Sequence, residues 1–137
     1  LAGVVVDYLQ LMTGRDSRKP RHEVVAEQSR QLKIMAKELE CPVIALSQLN
    51  RASASRDSGI PSLADLRESG SIAQDADAVL LLHIPSETGP DGAQQPDDSQ
   101  LVVTVAKNRQ GPPGRVTLDR NGANSELQDQ PYWKERR

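Results

Sequence analysis

An α/β fold, with strands in a mostly parallel sheet and helices on its faces, is predicted by three observations. Two apolar runs, residues 4–6 and 43–46, flank a stretch of helical periodicity, the order of a strand–helix–strand unit. Both runs break off abruptly at polar residues. Two later apolar strands are joined through Gly111-Pro112-Pro113-Gly114, which adds a β-hairpin at the far end.

The first run is Val4, Val5 and Val6, with no polar residue between them. That is the pattern of a strand buried on both faces of a parallel sheet. Asp7 ends the run, so its carboxylate emerges at the carboxyl edge, where open α/β sheets take their ligands. A carboxylate there is suited to holding the water shell of a Mg²⁺ ion beside a nucleotide, the Walker B role. It is equally suited to capping a turn, and the run alone leaves both readings open.

Residues 13–22 are polar, with Arg15, Arg18, Lys19 and Arg21 against Asp16, the composition of a solvated connection. A helix is predicted over 23–40. Val25, Leu32, Met35, Ala36 and Leu39 share one stripe, a core-facing one, and Glu27, Arg30, Lys33 and Lys37 lie elsewhere on the wheel. Pro42 closes the helix by forcing the preceding residue out of helical geometry. Residues 43–46 form the second buried strand of a right-handed parallel unit. SQLNR follows at once. Gln48 is placed to sense a phosphate or orient a water, or else to cap loop backbone.

Residues 50–62 are rich in Ser, Ala, Arg and Gly, and are expected to be a mobile loop. The segment DLRESGSIAQDADAVLLLHI, 65–84, begins as a helical turn, breaks at Ser69-Gly70 and resumes over 72–75. Asp75 and Asp77 precede a third buried strand, 79–84. Arg67 and the amides around Gly70 are suited to gripping a phosphate, because glycine lets backbone N–H groups approach an anion. The plainer alternative pairs Arg67 with Glu68 or Asp65 at the surface. His83 has no second histidine near it and reads as a hydrogen-bonded sheet residue.

Residues 86–99 carry Glu87, Asp91, Asp97 and Asp98 among Pro and Gly, and read as a solvated loop. A fourth strand over 101–106 and a fifth over 116–118 bracket KNRQGPPGR. Lys107 and Arg109 are two residues apart on one arm, hence on one face. Two cations on a rigid hairpin suit a neighbour's phosphate. They also suit an edge strand guarded by charge. From Asn121 the chain is a polar tail, and PYWKERR is expected to be frayed or docked only through Trp133.

Composition narrows the function. The 17 Lys+Arg against 19 Asp+Glu give no basic field, so any nucleic-acid contact must be local. With no Phe, two Tyr and one Trp, composition argues against a base-stacking surface and leaves backbone contact as the expected mode if a strand is bound. Cys41 is the single cysteine, a buried thiol expected in a reducing compartment. No signal peptide and no membrane-length apolar run occur, so a cytoplasmic setting is expected. The length fits one domain at most, and a core strand at the very start predicts a piece of a larger polypeptide.

VVVDYLQLM, SQLNR, DLRESGSIAQDAD and AKNRQGP, in this order and at these distances, resemble the replicative hexameric DNA helicases of the bacterial DnaB type. The resemblance covers roughly residues 3–118. It implies a RecA-like ATPase core that encircles single-stranded DNA as a hexameric ring and uses ATP and Mg²⁺. By resemblance, Asp7 matches the Walker B acid that helps hold Mg²⁺. Gln48 matches the sensor near the γ-phosphate. Arg67, Glu68 and Gly70 match the loop that meets the DNA backbone. Lys107 and Arg109 match the pair that reaches the adjacent subunit's ATP, with the arginine as a finger.

The departures matter as much. No G-x-x-x-x-G-K-[ST] occurs in the sequence, and the family's catalytic glutamate and ring-organising, primase-contacting amino-terminal domain have no counterpart. The expectation is therefore the carboxyl half of a helicase motor domain over 1–120, with a polar tail over 121–137, from a homohexamer that works with primase and loader proteins. Two alternatives stand beside it: a fragment of a repair or recombination ATPase of the RecA superfamily, and a non-catalytic remnant of that fold.

Overall fold

Val4–Val6 (β1) and Val43–Ala45 (β2) pair in parallel, in register Val4↔Val43, Val5↔Ile44 and Val6↔Ala45. The computed structural model describes residues 1–12, 19–50, 59–89 and 92–130, with backbone alone at 67–69. Readings placed on Arg15, Asp16, Arg18, Asp91 and Trp133 lie outside the described residues, as do those on 51–58. The chain divides into two compact units, one built from Leu1–Ser53 and Ser62–Asp77, the other from Ala54–Pro61 and Ala78–Arg137.

In the first unit the crossover between β1 and β2 is helix α1, Arg21–Glu38. Pro20 precedes it, and its carbonyl accepts the Glu23 and Val24 N–H groups at 3.0 and 3.3 Å. The far end closes as a Schellman motif. Glu40 N–H donates to Lys37 O at 3.4 Å and Cys41 N–H to Ala36 O at 3.3 Å, with Glu40 at φ 48°. The helix therefore stops at this left-handed residue, before Pro42 acts. Val25 is buried as predicted, whereas Leu39 is 47% exposed. Gln28 and Ser29 complete the buried face. They are bonded: Gln28 Nε2 donates to Met12 O at 2.9 Å, and Ser29 Oγ to Asp75 Oδ2 at 2.9 Å. A stripe counted in apolar residues misses polar groups that are buried with partners.

A 3₁₀ segment, Leu63–Ser69, runs into α2, Gly70–Asp75, and both pack on α1. Asp65, buried, accepts the Ser62 N–H at 2.6 Å and the Ser62 hydroxyl at 3.0 Å, fixing the start of the segment. The break predicted at Ser69-Gly70 is instead a non-helical Leu66, while Gly70 has ordinary helical angles. Lys33 forms an ion pair with Asp77, a second tie from α1 to the end of α2.

The second unit holds a four-stranded sheet in the order β3 (Ala78–His83), β6 (Gln100–Asn108), β7 (Gly114–Asn121), β8 (Glu126–Asp129), antiparallel throughout. The expected hairpin is the β6–β7 pair. The expected mostly parallel sheet is met only at β1–β2, since every other pairing among the described residues is antiparallel. A short connection such as 109–113 can only return its strand antiparallel, whereas a parallel neighbour needs a crossover like α1. Within the stretch read as a loop, β4 (Ser86–Thr88) and β5 (Gln94–Pro96) pair as a ribbon. Gly89 N–H to Ala93 O at 2.8 Å and Gly92 at φ 78° close it. Its strands carry no apolar alternation, so nothing in the residue pattern marked them.

Burial also departs from the expectation of strands covered on both faces. Val5 is 67% exposed and its partner Ile44 58%. In β3, Val79 and Leu81 are buried but Leu80 and Leu82 are exposed. Alternate side chains point to opposite faces, and for each strand these residues cover one face only. Cys41 is buried, as read. No helix among the described residues is long and apolar enough to cross a membrane.

Candidate functional site

Because β1 and β2 run in register, the residues that leave them do so side by side. Leu46 N–H donates to Val6 O and Leu9 N–H to Leu46 O, each at 2.9 Å, which carries the pairing past the last strand residues. Leu9, only 1% exposed, anchors a 3₁₀ turn, Leu9–Leu11. The outcome is a shallow groove of about 350 Å³ lined by Asp7, Tyr8, Leu46, Ser47 and Gln48. It lies at the carboxyl end of both strands, where the sequence placed Asp7 and Gln48.

Both side chains are exposed, and neither has a hydrogen-bond partner among the described residues. Among the described residues, the Asp7 side chain caps no turn and the Gln48 side chain caps no loop backbone. Gln48 is instead held by its own main chain. Gln10 Nε2 donates to the Gln48 carbonyl at 3.3 Å and to Ser47 Oγ at 3.0 Å, and Gln10 Oε1 accepts the Gln48 N–H at 3.2 Å. Gln10 was not singled out from sequence. Its only signal was a polar residue between Leu9 and Leu11.

Chemically, the groove offers one carboxylate and one neutral amide. No cluster of three or more His, Cys, Asp or Glu occurs among the described residues, so no all-protein metal cage exists there. That donor set fits Mg²⁺, which keeps several waters and is held by one or two carboxylates together with substrate phosphates.

The other predicted residues fall elsewhere. Gly70 opens α2, with open space where a Cβ would stand, and Arg67 and Glu68 precede it in the 3₁₀ segment. Lys107 and Arg109 belong to the second unit. Lys107 lies in β6 and is half-buried, while Arg109 lies beyond Asn108, where the strand ends, and is exposed. Strand alternation therefore does not put the two on one face, since its rule stops with the strand. Asn108 shapes the turn they flank: its Oδ1 accepts the Gln110 N–H at 3.2 Å, and a Cβ on Gly111 would sit 2.8 Å from its Nδ2.

Residues 1–129 match the model of the DnaB-like helicase C terminal domain. The chain is 48% identical over 126 residues to the replicative DNA helicase DnaB of Leifsonia xyli subsp. xyli, covering 92% of this chain and 27% of that protein. It is 50% identical over 115 residues to the replicative DNA helicase DnaB of Mycobacterium leprae, covering 84% of this chain and 18% of that protein. It thus spans little more than a quarter of the first relative and less than a fifth of the second. Among solved structures it resembles a DnaB-like replicative helicase described with its interactions with primase, at 36% identity and TM-score 0.82, covering 94% of this chain and 31% of that one. The match runs from the strand that ends at Asp7 through the last strand of the antiparallel sheet, and the chain belongs to the DnaB-like helicase C-terminal domain family.

Proposed function

We propose that this chain is the carboxyl half of the motor domain of an ATP-driven replicative helicase that unwinds duplex DNA at the fork. The motor works in the cytoplasm as a homohexameric ring translocating on one strand, with primase and loader proteins as partners. The observation that carries this reading is the groove in which Asp7 and Gln48, whose side chains have no hydrogen-bond partner among the described residues, leave adjacent parallel strands. Bound ATP and Mg²⁺ supply the phosphoryl group and the charge neutralisation for its transfer. Asp7 orients the cation's water shell, and Gln48 reads the γ-phosphate through its amide. Arg67, Glu68 and Gly70 meet the DNA backbone from inside the ring. Lys107 and Arg109 act on the nucleotide of the neighbouring subunit. The exposed Val5 and Ile44 support a larger motor, since such apolar runs normally have cover on both faces. A repair or recombination ATPase of the same superfamily is not favoured, because the matched relatives are named replicative helicases.

The test mixes subunits. In a full-length protein carrying this sequence, Arg109→Ala should leave ATP binding largely intact and reduce hydrolysis by on the order of 10³-fold or more. Mixing Arg109→Ala subunits with Asp7→Ala subunits should restore part of the ATPase, because some interfaces then combine an intact Asp7 with an intact Arg109. Near-normal turnover by Arg109→Ala alone would refute the trans role.

A further inference from the structure

The main-chain pairing of β1 with β2 ends just before the groove, and a side chain takes it one step further. The carboxamide of Gln10 meets both polar groups of the Gln48 main chain, accepting its N–H at 3.2 Å and donating to its carbonyl at 3.3 Å. A third bond, at 3.0 Å, reaches Ser47 Oγ. An amide is the side-chain group that can accept and donate at once along a peptide edge. The root of this clamp is itself held. Leu9 beside it is buried, the Gln10 carbonyl accepts from the Arg21 guanidinium, and Met12 O accepts from Gln28.

We infer that Gln10 is a positioning residue that holds Gln48 at a fixed offset from Asp7, on the segment it shares with Asp7. It sets the spacing between the carboxylate that orients the cation's waters and the amide that reads the phosphate. This rests on the proposed sensor role of Gln48. Leu at position 10 would lose all three bonds. Glu would keep an acceptor but lose both donations and set a carboxylate oxygen against the Gln48 carbonyl.

The experiment uses the full-length helicase subunit carrying this sequence, as wild type, Gln10→Leu, Gln10→Glu, Gln48→Ala and the Gln10→Leu/Gln48→Ala double variant. It reads kcat and KM for ATP, and the affinity ratio of a non-hydrolysable ATP analogue to ADP. Gln10→Leu and Gln10→Glu should each lower kcat about tenfold, roughly the worth of one or two lost hydrogen bonds, with KM moved by less than about threefold. The preference for the ATP analogue should fall as it does in Gln48→Ala. The double variant should be no worse than Gln48→Ala, because the clamp acts only through that residue. If Gln10→Leu lowers the melting temperature too far for kinetics, Gln10→Glu, of matching size, carries the same comparison. An impaired Gln48→Ala beside a normal Gln10→Leu and Gln10→Glu, or losses that add in the double variant, would overturn this inference alone. An unimpaired Gln48→Ala would overturn the sensor reading and this inference with it.

Discussion

Asp7 and Gln48 leave neighbouring parallel strands into one groove, and neither side chain is committed to any other described residue. A carboxylate and an amide left exposed in this way cost the fold little, so replacing either should change chemistry more than stability. Asp7→Asn in the full-length protein should leave the melting temperature within a degree or two. It should lower the ATPase kcat by on the order of 10²-fold, the scale on which a charge-stabilising group acts. The 137-residue chain alone, whose sequence contains no phosphate-cradling loop, should hydrolyse ATP at background rate. Steady turnover by the pure chain that Asp7→Asn abolishes would contradict the assignment.

Gly70 separates folding from binding. Its angles are helical, φ −51° and ψ −27°, and a Cβ there meets nothing within 4 Å. Gly70→Ala should therefore be neutral or stabilising by up to about 1 kcal/mol, the helix-propensity difference. If the DNA backbone approaches the amides here, the same methyl group should weaken single-strand binding in the full-length ring. That binding should be insensitive to base sequence and should fall with salt. Fluorescence titration against strands of different composition at two salt concentrations checks both. Unchanged affinity in Gly70→Ala would place the DNA elsewhere.

The end of α1 stores strain that can be released. Glu40 occupies the left-handed region at φ 48°, in the position of a Schellman motif that glycine favours. The left-handed conformation costs a residue with a Cβ about 1–2 kcal/mol, and glycine gives part of that back as chain entropy on folding. Glu40→Gly should raise stability by about 1 kcal/mol, and Glu40→Val should lower it by a similar amount. Denaturant unfolding of the matched variants reads the difference.

His83 should make stability depend on pH. Burial first, then the nearby Arg115 charge, holds its imidazole below the ordinary 6.5. Its Nδ1 has no hydrogen-bond partner among the described residues. The unfolded chain then binds the proton more readily than the folded one, so stability rises with pH across the interval between the two values. The contribution is complete above 6.5 and is lost as pH falls from there through the depressed folded value. The unfolding midpoint should drop as pH falls below 6.5, and His83→Gln should flatten that slope. A slope unchanged by the substitution would assign it to other groups.

Much of the site was legible because its signals are local. An uninterrupted Val4-Val5-Val6 run followed by Asp7, and another apolar run followed by SQLNR, place two polar residues at strand ends whatever surrounds them. The hairpin around Gly111 was equally visible, since its turn chemistry lies within a few residues. The polar half of the buried face of α1 was not. Gln28 and Ser29 are buried only because Met12 O and Asp75, distant in sequence, accept their hydrogen bonds.

Residue order was enough to establish the family motifs, the strand–helix–strand unit and the identity of the groove's carboxylate and amide, since each depends on short-range periodicity or on a strand's end. Which strands pair, which faces are covered and what holds Gln48 depended on the folded chain. β8 joins the sheet through backbone bonds to β7 and the β4–β5 ribbon closes on itself, although neither has an apolar pattern. Gln10 meets Gln48 only because two parallel strands bring their carboxyl ends together. Main-chain hydrogen bonds are common to every residue type and leave no mark in composition, so pairing across long separations becomes visible only once the chain has folded.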